Sequence, residues 1–165
     1  MSELLQRPSD AAHSCFEEVC NMPGHMLRRF QQIAVSIFLR DCKAFELTPV
    51  QFSVLAALSE ANPLDQIRLG GMVALDRTTI SLVVRKLEER GLVARQVSKK
   101  DRRSKLISLT VAGRALAEAA LPSVRAIQDK ILAPLTAAEQ DVFMALLHKA
   151  VEANNQQSRA PLRSV

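Results

Sequence analysis

Residues 75–110 read LDRTTISLVVRKLEERGLVARQVSKKDRRSKLISLT. Asp76 stands where a helix N-cap is needed, and Ile80, Val83, Val84 and Leu87 follow at the i, i+3, i+4, i+7 spacing of one buried helical face. Gly91 stops that helix. Leu92–Val97 and Lys105–Leu109 then alternate as two short strands, which predicts a β-hairpin with a loop of six or seven residues. Five of the seven residues from Lys99 to Lys105 are basic and one, Asp101, is acidic. Like charges so close repel one another, so the tip is built to touch something negative.

Working upstream, LTPVQFSVLAALSE (47–60) carries a compact helix start. Thr48 caps, Pro49 takes the first helical position, and Gln51 completes a capping box. This helix is expected to end near Asn62-Pro63. Asp65–Val73 reads as a short helix weakened by Gly70-Gly71. Helix, short helix, helix and hairpin in this order make a helix-turn-helix followed by a wing, the arrangement that lays its third helix in the major groove of DNA. With the apolar face buried, the opposite face of 77–90 presents Thr78, Thr79, Ser81, Leu82, Arg85 and Lys86. Hydroxyls there bond phosphates or base edges, and an arginine bonds guanine in a bidentate fashion. In the hairpin, Lys99, Lys100, Arg102, Arg103 and Lys105 would be neutralised by phosphates. Asp101, two residues before Arg103, would hold that guanidinium in a fixed fork before it enters a groove.

The flanks are helical. Pro23 opens a long helix with Met26, Phe30, Ile33 and Ile37 in register, preceded by a short helix over Ala11–Cys20. Thr110 caps another helix, expected to kink at Pro122. Thr136-Ala-Ala-Glu139 is a capping box opening a last helix to about Ala153. The first eleven residues and the stretch 154–165 are polar without a sustained period and read as flexible ends. The division expected is therefore 12–46 and 117–153 as helical arms, with 47–116 as the winged module: a mainly α fold with one small hairpin.

Charge supports this division. Residues 76–114 hold eleven Lys/Arg and four Asp/Glu, a net of +7 within a chain whose total is +5; residues 1–75 net −2 and residues 115–165 net zero. A positive excess confined to one segment is the footprint of a polyanion-binding module. No run of eighteen apolar residues suggests a membrane span. The N-terminus lacks the pattern of a secretory signal, and an odd count of three cysteines argues against a disulfide framework, so a bacterial-type cytoplasm is expected. There is no P-loop, dinucleotide glycine fingerprint or nucleophile elbow, and the three histidines form no catalytic motif; an enzyme is not expected.

LTPVQFSVLAAL, then LDRTTISLVVRKLEERGLVARQVSKKDRRSKLISLTVAGRAL, resembles the MarR family of bacterial winged-helix regulators from about Leu47 to Leu116. The likeness includes the Leu-Asp-Arg-Thr-Thr entry to the reading helix, its Leu-Glu-x-Arg-Gly-Leu-Val exit, the Asp-x-Arg wing and the Leu-Thr-x-x-Gly start of the next helix. The resemblance implies a homodimer built from the terminal helices, binding a pseudo-palindromic operator and released by a small, often aromatic and anionic, ligand. By position it makes Asp101 and Arg103 the wing pair and puts Thr78, Thr79, Ser81 and Arg85 on the reading helix. Leu82 departs from the basic or polar residue of many relatives, which turns attention there to a thymine methyl.

On the first long helix His25, Arg29, Gln32 and Ser36 form one polar stripe with Arg28 beside it. Such a stripe is either a solvent face or, as the family resemblance implies for this helix, an effector surface. A His and an Arg one turn apart suit a planar carboxylate, and Gln32 can read a ring substituent. The run PGHMLRRFQQIAVSIF (23–38) also resembles a branch controlling aromatic-acid catabolism, which implies 6-hydroxynicotinate or a similar acid as effector for His25, Arg28, Arg29 and Gln32. No cofactor is expected.

Two alternatives stand beside this reading. Cys15, Cys20 and Cys42 offer a thiol-based redox sensor, although the peroxide sensors of the family stabilise their thiolate with tyrosines and this chain has none. An architectural, sequence-tolerant DNA binder is the other. Cys15-x₄-Cys20 with His13 and His25 is too loose for zinc, so no metal is expected, and His148 reads as packing or surface.

Overall fold

The computed structural model describes residues 14–97 and 105–163. The described chain falls into two compact units, one ending at Ala34 and the other beginning at Val35.

The first unit holds α1 (Cys15–Asn21) and the first part of α2 (Pro23–Asp41). Ser14 caps α1 by accepting from the Glu17 amide at 3.1 Å. No residue of α1 is buried, and Met26 and Ile33 of α2 are both about half exposed (57% and 48%). The expected short helix thus begins four residues later than the start expected at Ala11; residues 11–13 lie outside the described residues.

The second unit begins with the end of α2 and a 3-10 turn at Lys43–Phe45, then runs through α3 (Pro49–Glu60), β1 (Leu64–Asp65), α4 (Gln66–Met72), α5 (Arg77–Glu89), β2 (Val93–Val97), β3 (Lys105–Leu109), α6 (Val111–Leu132) and α7 (Ala137–Asn154). It closes with a second 3-10 turn at Asn155–Gln157. The capping signals act where the sequence puts them. The Thr48 side chain accepts from the Gln51 amide while Gln51 accepts from the Thr48 amide, and Thr136 and Glu139 form the same reciprocal pair. Asp65 and Asp76 each accept two amides at the start of α4 and α5.

The sheet has one strand more than the sequence pattern predicts. β2 and β3 pair antiparallel, with Val93 opposite Leu109 and Val97 opposite Lys105, and β1 joins the other side of β3 with Leu64 opposite Ile107. A two-residue strand has no period to read; pairing alone defines it.

Beneath the sheet lies one apolar core. Leu55, Leu58, Leu69, Val84, Leu87 and Ile107 are fully buried and Ile80 is 1% exposed. Each such side chain stabilises the fold by about 1.5–3 kcal/mol relative to leaving it in water. The face expected on α5 is therefore the buried one, with Val83 packed at its margin. α6 packs on α3, and its buried residues are Gly113, Ala117, Ala120 and Ile127. Pro122 lies inside α6 without ending it.

Two glycines show why the family-like stretches around the wing read as they do. Gly91, at φ +68°, is the left-handed residue after α5. Its amide donates to the Glu88 carbonyl and the Leu92 amide to that of Leu87, which is a Schellman closure. Gly113 has a different reason. A Cβ there would sit 2.0 Å from the Leu92 carbonyl oxygen. Thr110 accepts from the Gly113 amide at 3.0 Å, and its own hydroxyl lies 2.8 Å from the Gly91 carbonyl. The Leu-Thr-x-x-Gly signal is thus a joint between the hairpin and α6.

The stretch expected to be a flexible end behaves otherwise. Residues 155–163 fold back on the helix-turn-helix, and the Arg163 amide donates to the Gly71 carbonyl at 2.9 Å. The sequence shows no period there because these residues are held by polar contacts with distant groups, not by a repeating apolar face.

Candidate nucleic-acid interface

Asp76 is the pivot of α5. Its Oδ1 accepts from the Thr78 and Thr79 amides at 3.0 and 2.9 Å, and its Oδ2 accepts from the Thr79 hydroxyl at 3.1 Å. These bonds, those from Thr79 first, hold the Asp76 carboxyl below the usual carboxylate range, with the Arg159 charge adding to them. The first turn of α5 contains no acidic residue. Beyond the cap itself, an approaching phosphate therefore meets the exposed Thr78 and no further carboxylate in that turn.

The outward face carries the residues expected on it. Thr78, Arg85 and Lys86 are exposed, and Leu82 is 45% exposed beside them. Arg85 makes an i,i+4 ion pair with Glu89 at 3.7 Å, an exposed and weak tether that leaves the guanidinium available. Two expectations are qualified. Thr79 is half-buried with its proton committed to Asp76, and the half-buried Ser81 supplies its carbonyl to Arg95 at 3.4 Å.

Arg95 is a residue that periodicity does not single out. It projects from β2 onto α5, its Nε 3.2 Å from Glu88 Oε2. That contact is an ion pair without an aligned hydrogen bond, since Nε makes none. Together with the Ser81 contact it fixes the base of the hairpin to the reading helix. Arg90, at the end of α5, reaches the backbone before α3: it donates to the carbonyls of Glu46 and, at 3.1 Å, Phe45. Arg90 is marked in the sequence only by its place at the end of α5, and Arg95, in the middle of β2, by no local signal.

Lys105 is exposed at the first residue of β3. Lys99, Lys100, Asp101, Arg102 and Arg103 lie outside the described residues.

The MarR family model matches residues 47–105, the span from the start of α3 to the start of β3. The chain is 33% identical over 137 residues to the HTH-type transcriptional repressor NicR of Pseudomonas putida, covering 83% of this chain and 87% of that protein. It belongs to the MarR family. Solved structures agree. Bordetella bronchiseptica BpsR, described by a mechanism for regulation of its DNA binding by 6-hydroxynicotinic acid, matches with a TM-score of 0.75 at 34% identity, over 79% of this chain and 94% of that one. The transcriptional repressor CouR, bound to a 23-mer DNA duplex, matches with a TM-score of 0.74 at 30% identity, over 81% and 95%. The chain is accordingly a DNA-binding transcriptional regulator of MarR type with a winged helix-turn-helix, and not an enzyme.

The expected effector residues of this MarR-family chain lie along α2. His25 is half-buried, Arg28, Arg29, Gln32 and Ser36 are exposed, and Arg28 donates to the Gln32 side chain at 3.0 Å. The cysteines divide by environment. Cys15 is exposed and Cys20 half-buried, whereas Cys42 is 1% exposed and burial raises its thiol pKa, which suppresses the reactive thiolate. Among the described residues no group of His, Cys, Asp and Glu has the arrangement to hold a metal ion, and no helix is long and apolar enough to cross a membrane.

Proposed function

We propose that this protein is a homodimeric repressor acting in the bacterial cytoplasm, bound to a pseudo-palindromic operator and released from it by a small aromatic acid, 6-hydroxynicotinate or a close analogue. The observation that carries the DNA half of this reading is the α5 surface: an Asp76-capped, carboxylate-free first turn leading to exposed Arg85 and Lys86, bolted to the hairpin through Arg95. Thr78, Thr79, Ser81, Arg85 and Lys86 are assigned to the major groove. Lys99, Lys100, Arg102, Arg103 and Lys105 are assigned to the backbone and minor groove, with Asp101 orienting Arg103. Replacing Asp101 by Ala should then weaken DNA binding although it removes a negative charge.

Dimerisation has its own support. α7 has no buried residue, and Val142 and Leu146, one turn apart on the same face, are each about 60% exposed. A second copy is the occupant that would bury them, as the family's dimers imply. The ligand half rests on the kinship with BpsR and on the His25–Arg28–Arg29–Gln32 stripe. A carboxylate would draw Arg28 or Arg29, and Gln32, once exchanged from Arg28, would bond a ring hydroxyl.

The test is fluorescence anisotropy of a labelled duplex from the gene's own upstream region at about 150 mM salt, with a scrambled duplex beside it. Preference for the upstream duplex, lost on Arg85→Ala through about 1–3 kcal/mol of discrimination, supports the operator reading. Equal binding to both duplexes would replace it with the architectural one. Release by 6-hydroxynicotinate but not by peroxide, abolished in Arg29→Ala, supports the effector assignment; release by peroxide alone moves the sensor to the cysteines.

A further inference from the structure

The residues after α7 return to the helix that reads DNA. A clasp shapes the turn: Asn155 Nδ2 donates to the Leu162 carbonyl at 3.0 Å, and the Leu162 amide donates to Asn155 Oδ1 at 2.8 Å. One anchor is the Arg163 amide on the Gly71 carbonyl, and the fit is close, since a Cβ on Gly71 would lie 3.2 Å from Arg163 Cβ. The second anchor is Arg159, whose Nη2 lies 3.0 Å from Asp76 Oδ2 while the rest of its side chain stays 88% exposed.

Placed this way, the segment forms one wall of a cleft of about 620 Å³ beside the N-terminus of α5. Arg77, Lys105, Arg159 and Arg163 line it together with two carboxylates, Asp65 and Asp76. Both carboxylates are already engaged, Asp65 by the α4 amides and Arg68, Asp76 by the α5 amides and Arg159. The cleft therefore presents net positive charge at the end of the helix that enters the groove.

We propose that residues 155–163 are a DNA-binding arm: docked against the α4–α5 turn, they deliver Arg159 and Arg163 to the phosphates that flank the entry point of α5. A segment that blocked this surface would be expected to carry acidic residues that imitate the DNA backbone. Residues 154–165 contain two arginines and no Asp or Glu, so their field draws DNA in. Arg159 has a second effect. Asp76 must be charged to cap α5, and a carboxylate at that place repels phosphate; the paired guanidinium offsets the repulsion without removing the cap.

This inference rests on the reading of α5 as the DNA-contacting helix, and the test separates the two. The wild-type chain, Arg159→Ala/Arg163→Ala, the Lys/Lys counterpart and Arg85→Ala are titrated onto the upstream and scrambled duplexes over a range of salt. Thermal melts verify that each is folded. Two lost phosphate contacts in each protomer, four per bound dimer, should lower the slope of log K against log salt by about 3.6 and weaken binding by at least about tenfold at physiological salt. The loss should be equal on both duplexes and largely restored by the lysines, because backbone contacts carry charge and not sequence. Arg85→Ala should instead reduce the preference for the upstream duplex. An unchanged affinity and slope in the Ala/Ala variant would overturn the arm, as would tighter binding, which would make the segment a block. Absence of any preference in wild type and Arg85→Ala alike, with the slope change intact, would overturn the operator reading and leave the arm.

Discussion

The winged module and the terminal helix α7 spend their apolar residues differently. In the module Leu55, Leu58, Leu69, Val84 and Leu87 are fully buried among themselves, and the hairpin adds Ile107. In α7 no residue is buried, although it is capped at Thr136 as well as any helix here and runs for 18 residues. Local signals are equally strong in both, but only the module places fully buried residues in a core. The difference teaches that the winged module closes its own core, whereas α7 leaves apolar surface open. α1, in the other unit, shares this condition, with Phe16 72% exposed.

The sharpest way to break this comparison is to put a charge on the exposed stripe of α7. Leu146→Glu together with Val142→Glu should leave the module folded but convert a dimer to monomer, seen by light scattering. Operator affinity should fall about 100-fold or more, because two half-sites would no longer be held together. A dimer that survives this change would show that α7 is merely a solvated helix. The complementary change falls inside the module. Gly113→Ala forces a methyl against the Leu92 carbonyl, and should cost about 2–3 kcal/mol of stability in chemical denaturation without changing the stoichiometry of the assembly. If Gly113→Ala were neutral, the joint between hairpin and α6 would be softer than the 2.0 Å approach implies.

A smaller effect probes the end of α2 in the second unit. Hydrogen bonds from Arg40 and Lys130, at 2.7 Å each, lower the Asp41 carboxyl to about 2, from 3.8 when unperturbed. A depressed carboxylate stabilises the folded state above its unfolded pKa, and that contribution disappears as the pH falls through its folded value. Between pH 4 and pH 2 the melting temperature of wild type should therefore drop more steeply than that of Asp41→Asn. Parallel curves would mean that the tie from Asp41 on α2 to Lys130 on α6 contributes nothing measurable.

Much of the reading head is legible from residues close in sequence. Thr48, Asp76, Thr110 and Thr136 announce helix starts, and each accepts an amide only two or three residues away. The face of α5 that is buried follows from spacing, and the face left over names Thr78, Arg85 and Lys86. What escaped was whatever depends on a partner far along the chain. β1 is two residues long and exists because β3 pairs with it. Arg95 looks like any strand arginine until α5 is beside it. Gly70 and Gly71 look like helix breakers, yet a Cβ at Gly70 would stand 3.0 Å from the Leu75 carbonyl, and Gly71 receives Arg163.

The sequence by itself therefore determined the main helices, the pairing strands of the hairpin, which face of α5 is buried and the kind of partner, because caps, periodicity and charge act over a few residues and survive without any neighbour. Tertiary structure alone decided that residues 155–163 are anchored and that Arg159 sits on Asp76, 83 positions away. Such a contact carries no period and no composition of its own. It exists only once the residues after α7 have turned back onto the stretch between α4 and α5.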